Sequence, residues 1–167
     1  MGTRSYIAKQ VGVNSFRTIF SQLEGYPSYL GMLLVDHYNS EEMVDKLLDL
    51  GDIYVLRPKL EPDVNQPHDF LNNQKDVTLT FARDLKEEGF EATIKTLEEL
   101  DENWGIEYVY IFTRENKWKY FAVGELDEGL RDLEEMVNYI KANEGDETDE
   151  FSEDFEGDDE EIGGINY

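Results

Sequence analysis

The sequence predicts an α+β fold: an antiparallel sheet of about five strands with about four helices packed on it, plus a disordered acidic C-terminal tail. Two hairpin-like pairs of β-rich segments, two helical segments joined by a tight connection, and few sites for parallel crossovers favour this class. Hydrophobic periodicity ends at Asn143. We therefore expect an ordered domain over residues 1–143 and a tail over residues 144–167.

Two hairpins are the clearest expected strands. Ser5–Val11 and Ser15–Leu23 are rich in β-branched and aromatic residues and flank a short turn. Ile106–Thr113 and Lys117–Val123 have the same character and flank the polar turn 114–116. Such pairing is typical of antiparallel hairpins.

A pair of helices is expected between the hairpins. Pro27 suits a first helical position because its missing N–H would have no partner there. Asn39 is the expected cap of the second helix, with Glu42 as its reciprocal capping partner. Gly51 is placed to end that helix in the left-handed conformation.

The remaining elements are shorter or less regular. Asp52–Leu56 and Val77–Arg83 are expected strands, separated by a loop over residues 57–75 that holds three of the four prolines. A loop of this length in a compact domain is typically mobile or functional. Ala92–Leu100 is an expected short helix, and Asp127 is the expected cap of the last helix.

Charge restricts the classes of partner. The chain has 39 acidic against 15 basic residues, a net charge of −24, and its last 24 residues contain 12 acids and no base. Such a protein is repelled by nucleic acid and by anionic membranes. No signal peptide or membrane span is visible, and cysteine is absent. We expect a soluble cytoplasmic protein, without direct nucleic-acid or membrane binding, and the sequence does not indicate an oligomeric state.

Residues that could catalyse a reaction are scarce. His37 and His68 are the only histidines and have no metal-ligand spacing. No phosphate-binding loop, dinucleotide fingerprint or nucleophile elbow is present. The sequence therefore predicts no catalytic residue, no metal and no cofactor. An enzyme acting on a small substrate remains an alternative, which a pocket around Tyr26, Arg83 and Asp84 would support.

Acidic residues on the last expected helix suggest a surface resembling nucleic acid. Glu128, Asp132 and Glu135 are spaced by four and three residues, which places them on one helix face about 6 Å apart along the axis. Phosphates of a DNA strand repeat at roughly 3.4 Å. The alternative interpretation is an ordinary solvated helix face. A second acidic stretch comprises Asp84, Glu87, Glu88, Glu98, Glu99, Asp101 and Glu102.

The tail combines acids with a few large apolar residues. Its composition predicts disorder, because like charges repel and little can be buried. One interpretation is a recruiting peptide for a basic surface, and the other is a solubilising tail without a specific partner. Together with Glu128, Asp132 and Glu135, the residues predicted to bind a partner are Asp146, Glu147, Asp149, Glu150, Phe151, Glu153, Asp154, Phe155, Asp158, Asp159, Glu160 and Glu161.

Short motifs in the N-terminal half resemble a group of small phage and prophage proteins. These motifs are Gly2-Thr3-Arg4-Ser5, Gly25-Tyr26-Pro27, His37-Tyr38, Leu50-Gly51-Asp52 and Phe81-Ala82-Arg83-Asp84. The group has a segment similar to WDGYP, whereas this chain has Leu23-Glu24 before Gly25 and so lacks the tryptophan. The resemblance covers scattered positions within residues 2–85. It implies a phage origin and no assigned activity.

Charge and resemblance together predict a non-enzymatic, phage-encoded inhibitor or modulator. It would bind a basic nucleic-acid-binding surface of a host protein, as a DNA mimic directed at restriction, at a CRISPR effector or at polymerase. Other small, strongly acidic phage proteins act in that way, so this prediction is an analogy based on origin and charge. The alternative is an interaction adaptor in phage replication or transcription, whose acidic tail recruits a second protein.

Overall fold

The computed structural model describes residues 2–154, with side chains for residues 2–143. The chain divides after Glu134 into two compact units. The fold class is α+β, as predicted from the sequence, and the described residues form a mixed sheet of eight strands together with five α-helices.

The sheet has the strand order β4-β3-β2-β1-β6-β7-β8, and β5 pairs with β2 outside this path. The expected strand number of about five was therefore too low, because four strands have only two or three residues and give little periodicity. The bounds are β1 (Ser5–Gly12), β2 (Ser15–Ser21), β3 (Ile53–Val55), β4 (Leu79–Thr80), β5 (Thr93–Lys95), β6 (Tyr108–Phe112), β7 (Trp118–Ala122) and β8 (Arg131–Asp132).

The expected antiparallel sheet is wrong at its centre. Both predicted hairpins are present as β1–β2 and β6–β7. However, β6 lies parallel to β1, with Ser5 opposite Tyr108 and Lys9 opposite Phe112. The sheet is mixed because the second hairpin adds to the free edge of β1 after a long crossover. Central strands of this kind are covered on both faces, in keeping with their near-continuous apolar sequence.

The five helices are of very different lengths. A π-helical turn over Pro27–Gly31 starts with the predicted proline and continues into the first α-helix. The helix bounds are α1 (Met32–His37), α2 (Glu41–Asp49), α3 (Phe81–Asp84), α4 (Leu97–Leu100) and α5 (Leu133–Asp154).

The helix ends agree with the sequence in part. Gly51 has φ of +80°, the left-handed conformation predicted for the end of α2. The cap of α2 is Ser40 and not Asn39, since the Ser40 Oγ accepts the Met43 N–H at 3.2 Å. A helix over Ala92–Leu100 was also wrong. Thr93–Lys95 is strand β5, and α4 begins after Thr96, which forms a capping box with Glu99.

The last helix begins later than predicted. A 3₁₀ turn occupies Leu126–Glu128, and Gly129 then adopts φ of +92°. Strand β8 follows, paired with Lys119 and Tyr120 of β7. Asp127 is therefore not the cap of α5. The backbone of α5 continues to Asp154, beyond the predicted end at Asn143, through a segment rich in the good helix former glutamate.

One face of the sheet packs against the segment from the π-helical turn to α2. The Tyr110 hydroxyl donates to the Gly25 carbonyl at 2.6 Å, and the Trp118 Nε1 donates to the Tyr38 carbonyl at 3.0 Å. These bonds satisfy polar groups that burial would otherwise leave unpaired. Tyr110 of β6 and Trp118 of β7 therefore belong to this packed layer.

The opposite face of the sheet carries a second apolar cluster. Side chains from β1, β2, β6 and β7 meet Leu100 of α4 and Ile106 of the next loop. Leu97 and Leu126 pack against the same cluster. The segment around α4 and the 3₁₀ turn before β8 are thereby held on one side of the sheet.

Candidate protein-binding surface

The predicted acidic stripe is divided among three elements. Glu128 ends a 3₁₀ turn, Asp132 lies in β8 and Glu135 lies in α5. The spacing argument assumed one continuous helix, which the chain does not form here. In addition, Arg131 Nη2 lies 3.3 Å from carboxylate oxygens of Glu125 and Glu128. The single-helix stripe was therefore a wrong prediction, although partner binding by these residues is untested.

The tail residues proposed for partner binding, Asp146 to Glu161, lie outside the part of the chain whose side chains are described. The helical backbone over residues 144–154 differs from the disorder predicted for that part of the tail. Residues 155–167 lie outside the described part of the chain, so disorder there and the recruiting role of the tail remain predictions.

Asp84 does not belong to the acidic surface with which the sequence grouped it. Its side chain is 2% exposed, and Oδ2 accepts the Thr80 N–H at 2.8 Å. Arg83 Nε donates to Oδ1 at 2.8 Å. The carboxylate is thus buried with its charge and hydrogen bonds satisfied, which is the condition for a stable buried charge.

His68 joins the proline-rich loop, residues 57–75, to Thr78 and to the buried Asp84. Its Nδ1 accepts the Gln74 N–H at 2.9 Å, which requires that this nitrogen carry no proton. The proton is then on Nε2, which lies 3.1 Å from the Thr78 carbonyl and 3.4 Å from Asp84 Oδ2. Both ring nitrogens have local partners, so this histidine holds the loop.

Arg57 and Gln74 complete the fastening of the loop. Arg57 Nη1 donates to Asn73 Oδ1 at 2.8 Å and to the Gln74 carbonyl at 3.1 Å. The Gln74 side-chain amide donates to the carbonyls of Asp63, Gln66 and Pro67 at 3.0 to 3.3 Å. The loop over residues 57–75 is consequently held by a specific hydrogen-bond network.

The residues named for the enzyme alternative have separate local roles. Arg83 is engaged by Asp84 and by the carbonyls of Leu60 and Thr78. The Tyr26 hydroxyl donates to the Glu24 carboxylate, and burial, followed by that carboxylate, raises the pKa of the phenol far above its ordinary value. Two cavities of about 250 and 280 Å³ are lined by other residues.

Two acidic segments meet beside the second apolar cluster. The Asp101 Oδ1 accepts the Gly124 N–H at 2.6 Å, and the Val123 N–H donates to the Glu107 carbonyl at 3.0 Å. These bonds join the segment after α4 to the segment after β7. Residues far apart in sequence thereby contribute carboxylates to one region.

Trp104 is the large apolar residue of this region. Its side chain is 79% exposed, although tryptophan is usually mostly buried. The ring lies against Gly124, where an added Cβ would meet indole atoms at 2.8 and 2.9 Å. Gly124 has φ of +93°, which glycine adopts without strain. Packing on this glycine holds the ring against the loop while the rest of the indole faces solvent.

We call this region the Trp104 surface. Its basic side chains are Arg4, which donates to the Gly105 carbonyl at 3.3 Å, and Arg131, which lies 3.3 Å from Glu125 and Glu128. The surface comprises Trp104 and the carboxylates of Glu98, Glu99, Asp101, Glu102, Glu107, Glu125, Asp127 and Glu128.

Local hydrogen bonds keep part of this surface ionised and ordered. Asn14 Nδ2 donates to Glu98 Oε1 at 3.0 Å and lowers the pKa of that carboxyl group. The Asn14 Oδ1 accepts the Leu97 N–H at 2.9 Å, which ties the first turn of α4 to the β1–β2 turn. The α4 part of the Trp104 surface is therefore attached to the sheet through the β1–β2 turn.

Sequence reasoning missed Trp104. The available signal was one tryptophan within the polar segment 101–105, where no periodic apolar residues accompany it. A large apolar residue without periodic partners indicates either a special packing role or an exposed binding contact. The sequence could not show which acidic segments would surround it.

Comparison with known proteins finds no match to a family model, to a curated protein or to a solved structure. No helix within the described residues has the length and apolarity needed to cross a membrane. In that same part of the chain, no three histidine or acidic side chains are grouped to hold a metal ion.

Proposed function

We propose that the protein is a non-enzymatic inhibitor or modulator that binds a basic, nucleic-acid-binding surface of another protein through its Trp104 surface. The observation that carries the proposal is the exposed indole of Trp104, packed on Gly124 where the acid-rich segments 98–107 and 125–128 are joined. Fixed carboxylates at such a density favour a cationic partner and exclude a polyanion.

The two kinds of group have different roles in binding. Exposed acidic residues accelerate association with a basic surface and select against acidic partners, but each contributes little affinity alone. A buried tryptophan is a common source of affinity at interfaces. A partner that covers Trp104 would therefore supply an apolar contact surrounded by lysine and arginine.

The phage resemblance of the N-terminal half supports a host protein as the partner. Restriction enzymes, CRISPR effectors and polymerases all have basic channels that contact phosphates. Occupation of such a channel by carboxylates would compete with nucleic acid. This competition distinguishes the proposal from general charge attraction.

The first experiment tests the Trp104 surface by capture from bacterial lysate treated with nuclease. The triple variant Glu102→Gln, Glu107→Gln, Asp127→Asn removes three exposed carboxylates to which the structure assigns no side-chain hydrogen bond or ion pair. The matched control is Glu61→Gln, Asp76→Asn, Glu87→Gln, which changes the net charge equally elsewhere. We expect the parent chain and the control to retain the same partner and the triple variant to lose it.

The captured partner is then tested against nucleic acid. Added double-stranded DNA should release the partner, and binding should weaken steeply between low and high salt. Equal capture by the triple variant, or capture that is indifferent to both DNA and salt, would contradict the proposal. A chain ending at Asn143 separates the adaptor alternative, because an adaptor would keep this partner and lose a second one.

A further inference from the structure

A cavity of about 280 Å³ lies where β2 changes partners. The strand pairs with β5 through Phe16, Arg17 and Thr18, and with β3 through Ser21. Between them, the Phe20 N–H is bonded to the Asp52 side chain, at 2.8 Å from Oδ1. The break in pairing leaves a cavity that is lined in part by Tyr6, Thr18, Phe20, Asp52, Glu91 and Lys95.

The cavity contains two carboxylates and one ammonium group. Burial raises the pKa of Asp52, and the nearby Glu91 raises it further, while the Phe20 N–H and Lys95 lower it. Lys95 Nζ lies 5.5 Å from the centroid of the Tyr6 ring. This arrangement combines uncompensated negative charge with aromatic faces, which together favour a cation.

The cavity and the Trp104 surface are connected through one hydrogen bond. Asn103 Nδ2 donates to the Tyr6 hydroxyl at 3.1 Å, and Asn103 directly precedes Trp104. Tyr6 and the partly buried Phe20 also belong to the apolar cluster against which the α4 segment packs. A partner segment that covers the indole therefore has the cavity within its reach.

We infer that this cavity binds the guanidinium group of a single arginine side chain, supplied by the basic partner. The inference rests on the proposed function for the source of the arginine. Asp52 and Glu91 accept its hydrogen bonds, and the aromatic walls contact its planar face.

Size and shape select arginine. Pockets for drug-sized ligands occupy roughly 300–1,000 Å³, so this cavity is suited to one side chain. A guanidinium group presents several N–H donors in a plane and matches carboxylates in a bidentate manner, whereas an ammonium group acts as a point charge. The planar cation also stacks on aromatic rings.

The test uses N-acetyl-arginine amide as the probe, added to the full chain and followed by backbone amide NMR. The lysine and citrulline amides are the comparison probes, because one keeps the charge without the plane and the other keeps the shape without the charge. We expect saturable shifts at Phe20, Thr93 and Lys95 with the arginine probe, and markedly weaker effects with the other two.

Two substitutions are expected to weaken binding of the arginine probe, and a third is expected to tighten it. Glu91→Gln removes an exposed carboxylate and should weaken binding of the arginine probe by about fivefold. Asp52→Asn keeps an oxygen acceptor for the Phe20 N–H and should weaken it by about tenfold. Lys95→Gln removes a like charge that competes for the carboxylates and should tighten it by about threefold. Glu61→Gln is the control with unchanged affinity.

The inference is overturned if the arginine probe causes no saturable shift, if lysine binds equally, or if Lys95→Gln weakens binding. If the arginine probe does not bind but partner capture is still sensitive to DNA, only the assignment of the cavity is rejected. If the arginine probe binds but the capture experiment fails, the proposed function is rejected. The cavity then remains an arginine-binding site whose arginine has a different source.

Discussion

The surface of α2 and the Trp104 surface are both rich in acidic residues, but their charges are balanced differently. On α2, carboxylates lie 2.8 to 3.4 Å from basic nitrogens, in the pairs Lys9 with Glu41 and Asp45, Arg17 with Asp49, and Lys46 with Glu42. On the Trp104 surface, Arg131 lies 3.3 Å from Glu125 and Glu128, and the described structure assigns no ion pair to the other six carboxylates. Similar acidic sequences thus give one neutralised surface and one strongly negative surface.

The direction of side chains on the sheet explains why the two surfaces differ in charge balance. Lys9 of β1 and Arg17 of β2 are directly opposite each other and project to the face that α2 covers. Alternation of side chains along a strand fixes that choice. The loops that carry the Trp104 surface lie over the opposite face, where β1 and β2 place Tyr6, Ala8 and Phe16. Net charge along the sequence therefore says little about the field at a given surface.

The largest expected contrast lies between the two tryptophans. Trp118 is 3% exposed and packs against Phe112 with ring centroids 5.2 Å apart. Trp118→Ala should lower the free energy of unfolding by about 3–5 kcal/mol, and Trp104→Ala by less than about 0.5 kcal/mol. Urea denaturation followed by circular dichroism measures both. Comparable losses would show that the indole of Trp104 is structural.

Partner affinity should show the reverse order. Once a partner is captured, Trp104→Ala should weaken its binding by about 30-fold, equivalent to roughly 2 kcal/mol for a tryptophan at the centre of an interface. Titration calorimetry of the purified pair measures the change. Glu42→Gln on α2 serves as the control, and equal losses from both changes would remove the distinction between the surfaces.

Lys9 tests whether the α2 charges stabilise the fold. Lys9→Met should lower the free energy of unfolding by about 1 kcal/mol, because Glu41 and Asp45 lose their shared partner. Lys75→Met, an exposed lysine to which the structure assigns no ion pair, should change it by less than about 0.5 kcal/mol. The same result for both variants would mean that the α2 ion pairs contribute nothing measurable.

The pH dependence of the Lys9 effect has a defined sign. Burial lowers the pKa of Lys9, but hydrogen bonds and charges of Asp45 and Glu41 outweigh it, and the pKa is raised above 10.5. A raised lysine pKa stabilises the fold fully below the unfolded value and less as pH passes the folded value. The difference between parent and Lys9→Met should therefore disappear in strongly alkaline solution.

Asp52 should give the smallest effect and the opposite sign. Its pKa is raised above 3.8 mainly by burial, so ionisation at neutral pH destabilises the fold. A raised carboxyl pKa adds stability below the unfolded value and loses it as pH rises through the folded value. Asp52→Asn should stabilise the protein at pH 7 by under about 1 kcal/mol, with the gain vanishing below pH 3.8. Destabilisation at pH 7 would show that its ionised form is needed for folding.

Much of the fold was predictable because its strongest signals are local. The β1–β2 and β6–β7 hairpins, the proline start before α1 and the left-handed Gly51 all follow from short stretches of sequence. The parallel pairing of β1 with β6 depends on residues about 100 positions apart, which no local pattern reports. Topology was therefore less predictable than element type.

The candidate site was less predictable for the same reason. Residues 127–135 have helical charge spacing, yet Gly129 and the pairing of β8 with β7 prevent a helix there. Asp84 reads as one more surface acid, but Arg83 and His68 bury it. In each case a partner distant in sequence or fixed by the fold overrides the local pattern.

The parallel register of β1 with β6 has a consequence for synthesis of the chain. Ser5 finds its partner at Tyr108, which the ribosome adds about 100 residues later. At roughly 5–20 residues per second, one edge of the first hairpin is left without its neighbour for about 5–20 s. During that interval an unpaired strand edge is open to pairing with other nascent chains. Yield of native protein should therefore depend on elongation rate and on chaperones that cover the N-terminal hairpin.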